Sequence, residues 1–226
     1  MAVLTSYTSK AGYNREAVHS GQQQAVYQFD LSGGALCLDF ANTVSHRHLP
    51  QRRAEHLDSY ADLVAFADQS KLLTPKLAAS LRARAKRDPA GARSAFRRSI
   101  VLRESLYRAF SAIAAGKHVP PADVQQINDF ALVALQHRKL ARSNGEYRWE
   151  WQSNGGDLLD RILWPIAESA AELLTSEARA AIRECGAPDC EWLFLDHSRN
   201  RSRRWCDMKS CGNRQKARRH YQRAHA

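Results

Sequence analysis

Cys185-Gly186-Ala187-Pro188-Asp189-Cys190, then fifteen residues, then Cys206-Asp207-Met208-Lys209-Ser210-Cys211 and at once Gly212-Asn213-Arg214: this stretch decides how the C-terminal part of the chain folds. Two cysteine pairs of equal spacing are what tetrahedral zinc demands. Each pair closes a turn around one edge of the metal, and the loop between them brings the two edges together. The four-residue gaps are at the long end of the usual range of about two to four. A disulfide reading would need an oxidising compartment. Met1 to Tyr7 show no charged segment followed by an apolar one, so no secretory signal is expected. Four thiolates would fill the coordination sphere, making the expected zinc structural, without a catalytic water. Residues 185–226 are too few and too polar for a core of their own, and bound metal can supply on the order of 10 kcal/mol of folding free energy. Trp192-Leu193-Phe194-Leu195 reads as a short buried strand, with Trp205 completing an apolar patch around the site. The fifth cysteine, Cys37, lies in Ala35-Leu36-Cys37-Leu38 and reads as a buried core thiol.

The charge of the 226-residue chain is concentrated beside these cysteines. The net charge is +11, and residues 197–226 hold ten Lys/Arg against one acid, so that segment carries +9 and the rest +2. A basic segment of this kind points to a polyanion, usually nucleic acid, or else to a solvated tail. Zinc with four thiolates would carry −2, so part of the positive charge would balance the metal site. Residues 185–226 hold ten bases and four acids, a net of +6 that falls to +4 with the metal. The excess resides in a loop with Arg199, Arg201, Arg203 and Arg204, and in a helix expected from an Asn213 cap onward, with Arg214, Lys216, Arg218 and Arg219. Arginine at a helix start opposes the helix dipole, so either phosphate or the zinc thiolates should offset it. These eight residues are the candidate nucleic-acid contacts.

The stretch Cys190-Glu191-Trp192-Leu193-Phe194-Leu195-Asp196, with Arg203-Arg204-Trp205-Cys206-Asp207-Met208 and Cys211-Gly212-Asn213-Arg214, resembles the CGNR zinc finger, which takes its name from the tetrapeptide at 211–214. The resemblance implies that Cys185, Cys190, Cys206 and Cys211 are the ligands of one structural Zn2+. It also implies a DNA-binding unit of bacterial transcription regulators. Farther upstream, Leu36…Leu38-Asp39-Phe40-Ala41-Asn42-Thr43-Val44 resembles the start of the ABATE domain, which commonly precedes that finger, over roughly residues 29–175. That arrangement implies a stress-induced transcription regulator whose large domain senses or assembles.

The region between is helical by its periodicity. Ser59, Thr74-Pro75, Asp88-Pro89 and Pro120-Pro121 read as helix starts, and Gly116 as a stop. Asn144-Gly145, between Leu140 and the alternating Tyr147, Trp149 and Trp151, reads as a β-hairpin ended by Gly155-Gly156. Asp157 to Thr175 reads as a last long helix that Pro165 kinks or divides. No phosphate-binding glycine loop, nucleophile elbow or metalloprotease motif occurs, so no enzyme is expected. Asp39, Asn42, Arg47 and His48 converge on a ligand pocket, or else Asp39 and Asn42 cap turns and helices. Trp149, Trp151 and Trp164 either line a cleft or belong to the core. His46 and His48 read as a surface loop with no further metal ligand nearby.

The expected fold is α+β. A flexible leader at 1–28 precedes a mainly helical domain with a small β-hairpin at 29–180, and a four-cysteine zinc finger ending in a basic helix fills 181–226. The expected function is zinc-dependent DNA binding in transcriptional regulation, in the bacterial cytoplasm at the nucleoid. Expected partners are DNA, a small-molecule effector of the large domain and a second copy in a homodimer. No membrane is expected, because the longest apolar run, Phe130 to Leu135, falls far short of the about 20 residues a spanning helix needs. Two other classes stay open: RNA binding by the same basic surface, and a zinc-stapled protein-interaction module whose large domain senses a small molecule or is an enzyme.

Overall fold

The computed structural model describes residues 27–152 and 159–224. Sequence signals set most helix boundaries. Ser59 accepts from the Asp62 amide and opens α2 (Tyr60–Gln69). Thr74 caps α3 (Pro75–Arg87) with proline in the first turn. Asp88 accepts from the Gly91 amide at 2.8 Å and opens α4 (Pro89–Ala114). This helix of 26 residues is about 39 Å long. Gly116 follows it with φ +68°, where a side chain would be strained. α5 (Pro121–Gln136) starts at its proline pair. Ahead of these lies a short helix, α1 (Leu36–Ala41), with Cys37, Leu38, Phe40 and Ala41 buried. Burial pushes the Cys37 thiol up to about 12, so it is an inert core group.

Two small hairpins flank the helices. β1 (Val44–Ser45) pairs with β2 (Ala54–Glu55), and β3 (Arg138–Ser143) pairs antiparallel with β4 (Glu146–Trp151). Asn144 and Gly145 have φ of 53° and 86°, the backbone that a tight two-residue turn of this hand requires. The expected glycine end of the hairpin, Gly155-Gly156, lies outside the described residues. So does the expected start of the last helix at Asp157. Where description resumes, Leu159–Ile162 is a turn, and α6 is Leu163–Thr175. Pro165 thus sits in the first turn of α6, where its missing amide costs no bond. The expected leader also lies outside the described residues, except for Tyr27 and Gln28. Tyr27 is held in place: its ring stacks on His56 at 4.3 Å and its carbonyl accepts from Gln69 Nε2 at 2.7 Å.

The core lies where α1 meets α4 and α6, with α5 against α4 and α6 on one side. Phe40, Phe66, Leu102, Leu106, Phe110 and Ile166 are wholly buried there. The chain then runs through a 3-10 turn (Glu177–Ala181) into β5 (Ile182–Glu184), which pairs antiparallel with β6 (Leu193–Leu195). Leu193, Leu195 and Ile182 enter the same core, while Phe194, on the opposite face of β6, packs among the four C-terminal cysteines. One two-stranded ribbon therefore belongs to both the helical body and the cysteine cluster.

Asp39, Asn42 and Arg47 each have bonding partners of their own in the fold. Asp39 Oδ1 accepts from the Gly33 amide at 2.7 Å. Asn42, buried, donates from Nδ2 to the Leu193 carbonyl and accepts from the Leu193 amide, both at 2.8 Å. Arg47 donates to Glu104 Oε2 at 2.5 Å and to the Ala41 carbonyl at 2.9 Å, and stacks over Tyr107. Asp39 and Asn42 thus bond to backbone, and Arg47 joins a half-buried ion pair. Trp164 is likewise core, stacked on His137 at 3.9 Å, whereas Trp149 stands exposed on the hairpin.

Burial raises the Asp39 carboxyl to about 6, with nearby Asp30 adding to the effect against the Gly33 hydrogen bond. A folded-state value above the unfolded one means that the folded chain binds the proton more tightly, so this group's contribution falls as pH rises from about 4 to 6. Asp39→Asn keeps the acceptor for Gly33 and removes the charge. It should raise the urea midpoint at pH 7 and leave it unchanged at pH 4. An equal gain at both pH values would mean that the charge is irrelevant.

Candidate metal centre and basic face

Cys185 directly follows β5 and Cys190 precedes β6, so the hairpin's connection presents the first pair. The Cys185 amide donates to Trp192 O at 2.9 Å and the Cys190 amide to Ala187 O at 3.0 Å, closing the knuckle between them. The second pair stands at the entrance to the last helix. Asp207 accepts from the amides of Lys209 and Ser210 and starts a wide π-helical turn, Met208–Gly212, that runs straight into α7 (Asn213–Ala224). The cap is therefore Asp207, not Asn213 as the tetrapeptide suggested. Asn213 is already in helical conformation and donates from Nδ2 to the Lys209 carbonyl at 3.2 Å. Asp207 won because it precedes a turn that the cysteine geometry draws into the helix.

The four sulfurs lie within 4.8 Å of one another, and all four residues are buried. Cys206 Sγ is 3.7 Å from Cys190 Sγ and 3.6 Å from Cys211 Sγ. A regular tetrahedron with zinc–sulfur bonds of about 2.3 Å has edges of about 3.8 Å. The donor set and its size fit one structural Zn2+. Without a cation these sulfurs must share protons. Hydrogen bonds from Cys190, Cys206 and Cys211 push the Cys185 thiol down, and the same sharing, led by the bond to Cys185, pushes Cys190 and Cys206 up. A divalent ion replaces the shared protons and lets all four act as thiolates. The metal supplies a crosslink between the β5–β6 hairpin and α7.

Several groups offset the negative charge of such a site. Arg214 Nη2 lies 3.1 Å from Cys211 Sγ, and the Cys206 amide donates to Cys185 Sγ at 3.4 Å. Between the first two cysteines sits Asp189, whose carboxylate takes Arg218 Nη2 at 2.8 Å and Arg214 Nη2 at 3.3 Å. Asp189 was not singled out from sequence. Its signal was an acid inside the first knuckle, facing two arginines four residues apart on one helix ridge. Arg203, half-buried, donates to the carbonyls of Trp205 and Cys206 and stacks over Phe194 at 4.6 Å. Gly212 leaves room for its neighbours, since a Cβ there would lie 2.8 Å from Met208 Sδ and 3.3 Å from Trp205 Cδ1.

The eight candidate contacts thus divide. Arg203, Arg214 and Arg218 brace the metal site, with the side chains of Arg214 and Arg218 still 41% and 42% exposed. Arg199, Arg201, Arg204, Lys216 and Arg219 are exposed, and no ion pair among the described residues engages them. Lys216, Arg219 and Arg223 recur at three- and four-residue steps along one outward ridge of α7.

The cluster is also fixed to the helical body. Besides the Asn42 clasp, Trp192 Nε1 donates to the Val44 carbonyl at 3.1 Å. His48 lies between the Pro188 carbonyl, 2.9 Å from Nε2, and the Glu191 carboxylate, so it belongs to a docking contact and not to a metal site. The loop carrying His48 is anchored by Arg103, wholly buried, which grips Glu55 with two bonds of 2.5 and 2.8 Å and reaches Glu104 at 2.9 Å. Among the described residues no helix is long and apolar enough to cross a membrane.

No curated protein matches the chain. A family model described as "putative stress-induced transcription regulator", the ABATE domain, matches residues 34–177, and the CGNR zinc finger model matches residues 181–224. The second match spans all four clustered cysteines and the helix they anchor, and the first spans most of the chain, so the protein belongs to the ABATE family of transcription regulators and carries a CGNR zinc finger at its end.

Proposed function

We propose that the protein is a DNA-binding regulator and not an enzyme, acting on the bacterial chromosome in the cytoplasm through the outward face of its finger. One observation carries this reading. After the metal site has taken Arg203, Arg214 and Arg218, the loop at 199–204 and the outer ridge of α7 still present Arg199, Arg201, Arg204, Lys216 and Arg219, exposed and with no described acidic partner. Cationic side chains without an acidic partner, Arg204 among them stacked over Trp205 at 5.3 Å, suit the phosphates of a duplex when held on a stapled scaffold, with one or two available for guanine edges. The helical body, into which the finger is clasped, would transmit an effector or assembly signal to that face.

If about six phosphates are neutralised, log affinity should fall with log salt at a slope of roughly −5. A slope near zero would sink phosphate-dominated binding. Two neighbouring arginines should separate binding from structure. Arg219→Glu is expected to weaken duplex binding by about a hundredfold at low salt, with zinc retained in full. Arg218→Glu removes a partner of Asp189 beside the ligands and should weaken zinc retention against a chelator by about tenfold. Equal effects of both on zinc would place Arg219 in the scaffold as well. Competition between duplex DNA and structured RNA decides which polyanion is the partner.

A further inference from the structure

Of the large apolar side chains left exposed among the described residues, Val124, Leu132 and Leu135 lie on α5, and Leu140, Tyr147 and Trp149 on the β3–β4 hairpin next to it. Tyr147 is 72% exposed and Trp149 59%. Leu140 stands opposite Trp149 and Arg142 opposite Tyr147, so one face of the ribbon is an unburied aromatic strip. Only its base is packed, where Trp151 meets Trp164 and Arg138 stacks over Trp151 at 4.7 Å. No third strand pairs with either edge among the described residues. A two-stranded ribbon alone in water is marginal.

The two edges differ. β3 reads Arg138-Lys139-Leu140-Ala141-Arg142-Ser143, with three bases and no acid, which guards against pairing with itself. β4 reads Glu146-Tyr147-Arg148-Trp149-Glu150-Trp151, with charges of both signs. Because Ser143 and Glu146 close the two-residue turn, the backbone groups of Glu146, Arg148 and Glu150 bond to β3. Those of Tyr147, Trp149 and Trp151 point outward and can bond to a further strand. An antiparallel copy of β4 centred on Trp149 sets Trp149 against its own mate, Tyr147 against the mate's Trp151, and Arg148, which also bonds Glu150 of its own strand at 3.0 Å, against the mate's Glu150 twice over. Shifted by one pair, the centre falls on Arg148 and sets Arg148 against Arg148 and Glu146 against Glu150, all like charges. Shifted by a single residue, the aromatic face would meet the polar one.

We infer that the occupant of this edge is a second copy of the chain, joined β4 to β4 about a twofold axis at Trp149 into a four-stranded sheet. The self-complementary charge of the strand, against the uniform charge of β3, is the argument. The inference stands apart from nucleic-acid binding. It adds to that reading only that each particle would carry two basic faces related by the same axis.

Sedimentation of the zinc-loaded full chain tests it. The unsubstituted chain should run at twice its 25.5 kDa mass. Arg148→Glu, which places Glu opposite Glu, and Glu150→Arg, which places Arg opposite Arg, should each raise the dimer dissociation constant by about tenfold or more. Both positions lie on the exposed hairpin, and circular dichroism should show the fold unchanged. Mixing the two single variants should restore dimers, now mixed, because each chain then offers the charges the other lacks. A chain that is monomeric without substitution, single variants that dimerise as well as the unsubstituted chain, or a mixture that stays monomeric would each overturn the inference. A monomer whose Trp149 fluorescence is quenched by single-stranded oligonucleotide would assign the strip to a different occupant and would overturn it too.

Discussion

Stripping the metal with a chelator, or replacing Cys206 by Ala, should lower the melting temperature of the whole chain by at least about 10 °C, and not merely loosen its last forty residues. The reason lies in the shared ribbon. Structural zinc contributes on the order of 10 kcal/mol to the folding of small modules, comparable with the total stability of an ordinary domain. In an independent finger that loss would stay local. Here β5 and β6 place Ile182, Leu193 and Leu195 in the core of the helical body while holding Phe194 and the first two cysteines on the metal side. Loss of the crosslink frees α7 and leaves four buried sulfurs to share protons, and the ribbon that carries two of them is also a wall of the core. Amide exchange should therefore quicken at α1 and at the end of α4, both packed against the ribbon. A melting temperature within a degree or two of the native value after complete removal of metal would show that the cysteines do not hold the structure together.

The second large effect is expected at Asn42. Its amide bonds both to the carbonyl and to the amide of Leu193 at 2.8 Å, in a setting closed to water. Leu193 begins β6, whose first outward groups have no other partner in that direction. Asn42→Ala removes both bonds and leaves two buried backbone groups unpaired, each costing about 1–3 kcal/mol. A loss of about 2–4 kcal/mol follows, read as a shift of the urea midpoint with little change in slope. Metal content at neutral pH should stay stoichiometric, because no ligand is touched, but a chelator should strip the variant faster. A shift below about 0.5 kcal/mol would mean that the ribbon is held by its apolar side chains alone.

These expectations show how far local chemistry reached. The sulfur cluster was legible because four cysteines at equal gaps leave little else for the chain to do with them, and zinc imposes its own distances. The helix starts at Ser59, Thr74, Asp88 and Pro121, and the Asn144-Gly145 turn, were legible for the same kind of reason: capping and turn preferences act over three or four residues. The last basic helix does begin at Asn213, but its cap lies farther upstream, because Asp207 and Asn213 are both good caps and only the path between Cys206 and Cys211 selects the first. That Arg203, Arg214 and Arg218 bond to groups beside the metal site was not legible either. Composition gives the number of positive charges and not the direction in which each side chain points.

The sequence by itself determined that a metal would fold the C-terminal segment, that helices would dominate before it, and that an excess of positive charge would remain. Each follows from residue type and spacing within a few turns. The tertiary structure decided that finger and helical body share one ribbon, that Asn42 clasps Leu193, and which arginines lack an acidic partner among the described residues. Those outcomes depend on pairs such as Asn42 with Leu193 and Asp189 with Arg218, 151 and 29 residues apart. Contacts over such distances are fixed by how buried surfaces fit together, a property of the packed whole that local pattern does not carry.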